Sequence, residues 1–187
     1  MTSQLEAVFA AIDAANAQDP NTHDGTPSEL LYGQRMSAEQ KLLFPDASDR
    51  LQIAARGQHI ERWTLPRSAY PDGRTGYLAW RRAQGVRHGA RVAELMAQAG
   101  YSEDDCEQVS RMLRKEGLKR DPEVQALEDV ICFTFIRHYL ADFARSRTPE
   151  DLLNIVGKTA RKMSPEARAI ARETFDMPPA LAAAFKG

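Results

Sequence analysis

Residues 121–143 read D-P-E-V-Q-A-L-E-D-V-I-C-F-T-F-I-R-H-Y-L-A-D-F, and the reading of this stretch decides the fold. Asp121-Pro122-Glu123 has the chemistry of a helix start: a capping side chain, a proline whose missing N–H costs nothing there, and an acid at the positive end. From Val124 onward apolar residues fall on most faces of a 3.6-residue period. That pattern predicts a helix to Phe143 that is buried all round and central to an all-α fold. Glu128 and Asp129 interrupt it in the middle. Glu128 shares a face with Val124, Ile131 and Phe135, and Asp129 neighbours Cys132 and Phe133, so at least one carboxylate is expected to be poorly solvated. A buried carboxylate without a partner costs on the order of several kcal/mol. It therefore calls for a metal, an arginine, a histidine or a proton.

Outward from this stretch the chain reads as further helices separated by clear caps. Ser3 and Glu6 form a capping-box pattern, with Leu5, Val8, Phe9 and Ile12 on one face to about Ala17. Thr26-Pro27-Ser28-Glu29 predicts a second start, with Thr26 as cap. A third helix is expected from near Ala47 to about Trp63. Pro66, Pro71, Asp72 and Gly73 then mark a loop, followed from about Arg74 to Ala99 by one long helix or a pair broken at Gly85. Ser102 with Asp105, Thr148-Pro149 and Ser164-Pro165 open three more, and Gly117 closes the first of them. No alternating strand pattern and no internal repeat is present. The expectation is an all-α single domain over residues 1–187, of about seven or eight helices, with its core in 3–175 and a short tail at 176–187.

With 187 residues, 43% of them hydrophobic, the chain can bury a sizeable core. Its net charge of −1 argues against a protein that binds nucleic acid or a membrane over its whole surface. Cys106 and Cys132 are too few and too far apart for a thiolate metal site and are expected as buried, reduced thiols. There is no basic, then apolar, leader at the N-terminus and no run of eighteen apolar residues, so a soluble cytoplasmic protein is expected.

Charge is nevertheless uneven. Between Arg50 and Arg91 lie nine arginines, no lysine and only two acids, Glu61 and Asp72, which makes the segment +7 and the remainder −8. Trp63, Tyr70, Tyr77 and Trp80 are interleaved with them. Arginine with aromatics suits planar, bidentate contact with phosphate or carboxylate. Arg35, Arg56, Arg62, Arg67, Arg74, Tyr77 and Arg81 are the candidate ligand-binding residues. Arg82, Arg87 and Arg91 read as a solvated face. The plainer alternative is that Glu128 and Asp129 pair with Arg56 or Arg35 as structural ion pairs, that His59 bonds across the core, and that His88 lies on the surface.

A-A-R-G-Q-H-I-E-R-W (residues 54–63), E-L-L-Y-G-Q-R-M-S (29–37), P-R-S-A-Y-P-D-G-R-T-G-Y-L-A-W-R (66–81) and D-P-E-V-Q-A-L-E-D-V (121–130) together resemble an uncharacterised, mostly bacterial family, domain of unknown function 4202. The order of elements more distantly resembles the HD superfamily of helical, metal-dependent phosphohydrolases. That resemblance implies His59, His88 and Asp129 as metal ligands, with Glu128 in reserve. Ile60 stands where the superfamily has an Asp, and Tyr32-Gly33-Gln34-Arg35 where it has an early His, so the implied centre is mononuclear: manganese, iron, cobalt or zinc, or no metal at all.

Three function classes follow. The first is an HD-like phosphohydrolase acting on a small phosphorylated or nucleotide-like anion, with His59, Asp129 and Glu128 as catalytic residues and the arginines as a clamp. The second is a non-catalytic module that binds such an anion without metal. The third is a protein- or RNA-interaction module using the arginine-rich face. A P-loop, a Rossmann unit and a serine or cysteine nucleophile motif are absent.

Overall fold

The computed structural model describes residues 3–186, and among them the protein is all-α. Ten α-helices run in chain order: α1 (Ser3–Asn16), α2 (Ser28–Leu43), α3 (Asp49–Gly57), α4 (Gly73–Gln98), α5 (Glu103–Leu113), α6 (Pro122–His138), α7 (Leu140–Ala144), α8 (Pro149–Lys162), α9 (Pro165–Thr174) and α10 (Pro179–Ala182). Caps read from sequence stand at α5, α8 and α9: the Ser102, Thr148 and Ser164 side chains accept the backbone N–H three residues on. Asp121 likewise accepts from the N–H groups of Glu123 and Val124 at the start of α6. No helix among the described residues is long and apolar enough to cross a membrane.

The chain divides at Gly117–Leu118 into two compact units. Lys115, Gly117 and Lys119 all take positive φ, so the chain leaves α5 through a left-handed turn instead of extending it. In the first unit, α3 packs against α1, α2, α4 and α5, and its Ile53, Ala54 and Ala55 have no exposed surface. The long helix α4 runs unbroken through Gly85. A side chain there would meet the Leu113 carbonyl at 3.0 Å, and one at Gly89 would meet Ser110 Oγ at 2.7 Å. The glycines allow α5 to lie close against α4 and do not break the helix. In the second unit α6 packs on α7 and α8, and the 3-10 turn Ala183–Phe185 packs on α8, α9 and α10.

Four local expectations are corrected. Thr26 does not cap α2: Thr22–His23 and Thr26–Pro27 form a two-residue antiparallel ladder, and the N–H of Glu29 is capped by Asp19 Oδ2 at 3.0 Å. The third helix ends at Gly57, not Trp63, because Glu61 turns left-handed (φ 50°) and donates its N–H to Asn16 Oδ1 at 2.9 Å. α6 stops at His138, and the chain restarts as α7 after Tyr139 leaves helical φ. The expected tail is packed, with Leu181 and Phe185 buried.

Candidate functional site

The site lies in the first unit, where the turn after α3 meets the start of α2 and one face of α4. His59 is in this turn, off the helix on which sequence placed it. Its Nδ1 lies 3.1 Å from Glu29 Oε2 and its Nε2 lies 3.0 Å from Arg62 Nη1. A guanidinium can only donate, so Nε2 must be an unprotonated acceptor; the neutral ring then carries its hydrogen on Nδ1 and donates to Glu29. Tyr32 stacks on the ring at 3.8 Å with 13° between planes. The segment Tyr32-Gly33-Gln34-Arg35 thus meets His59 through the aromatic face of Tyr32. The His59 and Glu29 side chains are 19% and 15% exposed, so solvent reaches both.

α4 supplies the opposite wall through Trp80, Gln84 and His88, spaced four residues apart on one face. Trp80 donates Nε1–H to the Leu65 carbonyl at 2.9 Å, and Gln84 donates to the Arg62 and Leu65 carbonyls at 2.9 and 3.0 Å. These bonds hold the 3-10 turn Arg62–Thr64 against the helix. His88 is buried, 4% exposed, instead of lying on the surface at a helix start. Its ring bonds the Gln58 backbone, its Nε2 has no hydrogen-bond partner, and its centroid is 6.1 Å from that of His59.

Arg62 is the centre of the site. Its guanidinium sits 4.6 Å over the Trp80 ring and, among the described residues, makes one hydrogen bond, the donation to His59. No carboxylate among the described residues pairs with it, in contrast with Arg56. Arg56 makes a bidentate contact with Asp13, at 2.7 Å from Nε and 2.5 Å from Nη2. Arg67 spends its guanidinium on the Tyr70 and Pro71 carbonyls, both at 2.8 Å. Arg35 is half-buried on α2 with an interaction of its own. Arg74 is exposed at the start of α4. Arg81, also exposed, lies 5.8 Å over the ring of Tyr77, which is 43% exposed and 6.0 Å from Trp80. Arg62, Trp80, Tyr77 and Arg81 therefore form a stack from the interior to the surface in which two rings lie between two cations. Arg56 and Arg67, expected as part of an anion clamp, hold the fold.

Burial sets the protonation of this cluster. It lifts Glu29 to about 7, with Arg62 opposing and Asp19 adding to the shift. Burial also pushes His59 well below its ordinary value, assisted by Arg62, His88, Lys115 and Arg81. It lowers His88 to about 3, again with Arg62 adding. The guanidinium of Arg62 is itself lowered by burial, with Glu29 pulling it back up. At neutral pH the two imidazoles are uncharged and Glu29 is poised between its two states.

Glu128 and Asp129 are both buried, 2% exposed, as their place in α6 requires, and both find partners within the second unit. Lys162 Nζ lies 3.7 Å from Glu128 Oε1. Asp129 Oδ1 accepts from the Ser164 N–H at 2.8 Å and from Gln125 Nε2 at 3.0 Å. Burial raises the Asp129 carboxyl, against which the bonds from Ser164 and Gln125 act. Among the described residues no three His, Cys, Asp or Glu side chains come together as a metal would need, and both nitrogens of His59 are engaged.

Glu29 is the site residue that sequence reasoning missed. Its position in the first turn of a helix reads as dipole compensation, and nothing in the chain signals that His59, thirty residues on, will meet it. A family model described as "Domain of unknown function (DUF4202)" matches residues 6–184. No curated protein and no solved structure matches the chain.

Proposed function

The chain belongs to the DUF4202 family, and because that membership carries no activity, we propose from the site alone that it binds a small phosphate-bearing or nucleotide-like anion on Arg62. The observation that supports this is an arginine set in a partly buried site with a neutral imidazole and an indole face as its partners. Guanidinium presents five N–H donors, and Arg62 spends one. Unspent charged donors in a site of low polarity favour an anion more strongly than donors in water do. Tyr77 and Arg81 at the outer end of the stack suit the rest of the ligand. Titration calorimetry with inorganic phosphate, sulfate and nucleoside monophosphates tests the reading. Arg62→Gln should lose about 1–3 kcal/mol of binding, the scale of a charged hydrogen bond. Arg67→Gln should lose stability but not affinity, since its guanidinium already serves the loop. Equal affinity in Arg62→Gln and wild type retires the proposal.

A second reading, an HD-like metal-dependent phosphohydrolase, has one observation in its favour: His88 Nε2 is a buried imidazole lone pair with no partner. Metal content of protein purified without chelator decides it. Stoichiometric manganese, iron, cobalt or zinc that disappears in His88→Gln would make this the reading to pursue.

A further inference from the structure

We propose that the outer face of α4 over residues 74–86 is a docking surface for an acidic, amphipathic helix of a partner protein. It is independent of the Arg62 site, toward which Trp80 and Gln84 turn from the other side of the same helix.

The first turns of α4 run past the end of α5, the helix that covers the same face further on. α5 lies against α4 where glycines let it approach: a side chain at Gly89 would meet Ser110, and one at Gly85 would meet the Leu113 carbonyl. Leu113 is the last residue of α5, and the chain then turns away through the left-handed residues Lys115 and Gly117. Counted back from Gly85, the face continues through Arg82, Leu78 and Arg74, at three, seven and eleven residues, the spacing of one side of a helix. That is about 16 Å of helix. Arg74 and Arg82 are exposed there, Leu78 is 52% exposed, and Val86 at the edge of the strip is 50% exposed.

Charge and continuity with α5 give the chemistry of the occupant. Arg74, Leu78, Arg82 and Val86 form one ridge at four-residue steps, in which cation and apolar side chain alternate. Among the described residues neither arginine has an ion pair, and Glu116, an acid within reach of the charge of Arg82, is bonded by Arg114 at 2.8 Å. The complement is a helix that carries aliphatic side chains at that spacing, with Asp or Glu between them. α5 is such an element on the covered part of the face: it buries Cys106, Val109, Met112 and Leu113, and its first turn is Glu103, Asp104 and Asp105. A phosphate backbone would pair with the arginines but would leave Leu78 and Val86 without apolar cover. A second copy presenting the same ridge would set arginine against arginine. The strip is short, which suits a transient complex.

The probe is a fluorescein-labelled peptide of Ala, Leu and Glu, about sixteen residues long so that it can be helical alone, with Leu at four-residue steps and Glu between. Fluorescence anisotropy with the full chain should show saturable binding. Leu78→Ala and Arg82→Glu should each weaken it about tenfold, with unchanged circular dichroism because both side chains are exposed. The same peptide with Lys in place of Glu should not bind wild type and should gain affinity for Arg82→Glu. Should Arg82→Glu fail to fold, Leu78→Ala decides alone. No binding of the acidic peptide to wild type overturns the proposal. So does binding that Leu78→Ala leaves intact, which would mark a purely ionic surface of the kind a nucleic acid uses. Self-association of wild type that Leu78→Ala abolishes would assign the face to a second copy and overturn it as well.

Discussion

Arg62 and His88 show how much a single buried polar atom depends on its neighbours. Each is held by one specific bond, Arg62 to His59 and His88 to the Gln58 backbone, and each leaves further capacity unused. The consequence for stability has a definite sign. His88 is lowered to about 3 and His59 also lies well below its ordinary value, so each contributes stability that is complete above about pH 6.5 and is lost as pH falls below it. Glu29, raised to about 7, acts oppositely: its contribution is complete below its unfolded value of 4.5 and is lost as pH rises through about 7. Between about pH 5 and 6.5 two imidazoles outweigh one carboxyl by one proton. The urea midpoint of wild type should therefore drop on acidification, by at most about 1.4 kcal/mol per pH unit. In His88→Gln the remaining imidazole and Glu29 offset each other, and the midpoint should be nearly flat over that range. An acid-induced drop that is undiminished in the variant would assign it to other groups.

At the scale of elements, α6 and α9 are joined by a carboxylate. Asp129 bonds the N–H of Ser164, the capping residue of α9, and Gln125, which bonds Asp129, also donates to the Lys162 carbonyl at 2.9 Å. Lys119 donates to the Met163 carbonyl at 3.0 Å. The short connection between α8 and α9 is thus tied down on its backbone groups, which secondary structure alone would leave unpaired. Asp129→Ala should destabilise the protein by about 1–3 kcal/mol by stranding the Ser164 N–H and the Gln125 amide. Asp129→Asn keeps an acceptor oxygen and should cost less. Denaturant unfolding of the two variants checks the order. An equal loss in both would mean that the charge, and not the acceptor, is what α9 requires.

For the whole molecule, the +7 of the arginine-rich segment overstates the charge available to a partner. Arg56 is neutralised by Asp13, Arg91 by Glu61 and Glu94, and Arg50 lies 3.6 Å from Asp105. Arg67 and Arg87 bond backbone and Thr64. Among the described residues Arg74, Arg81, Arg82 and Arg87 are the exposed arginines of the segment that carry no ion pair. Four such contacts limit the salt dependence of duplex binding to a slope of about 4 in log K against log salt. Fluorescence anisotropy with a short RNA or DNA duplex should find weak association with a slope no steeper than this. A markedly steeper slope would restore the nucleic-acid reading of this face.

The helices were determined locally. Capping side chains act on N–H groups two or three residues away, and apolar periodicity acts within one helix, so Asp121, Ser102, Thr148 and Ser164 could be read along the chain. The burial of Glu128 and Asp129 was legible for the same reason, since neighbours on α6 are apolar whatever packs against them. Failures came where a distant group outcompeted a local one. Asp19 displaced Thr26 as the cap of α2, and Asn16 caught the Glu61 N–H and ended α3 early. The pairing of buried charges was wholly tertiary. A carboxylate or guanidinium leaving water takes the partner that reaches it at hydrogen-bond distance, and periodicity does not specify that distance. Local sequence thus determined that the chain is helical, where most helices begin and which acids are buried. Only the packing of α2, the turn after α3 and α4 decided that His59 meets Glu29 and that Arg62 is left with donors to spare.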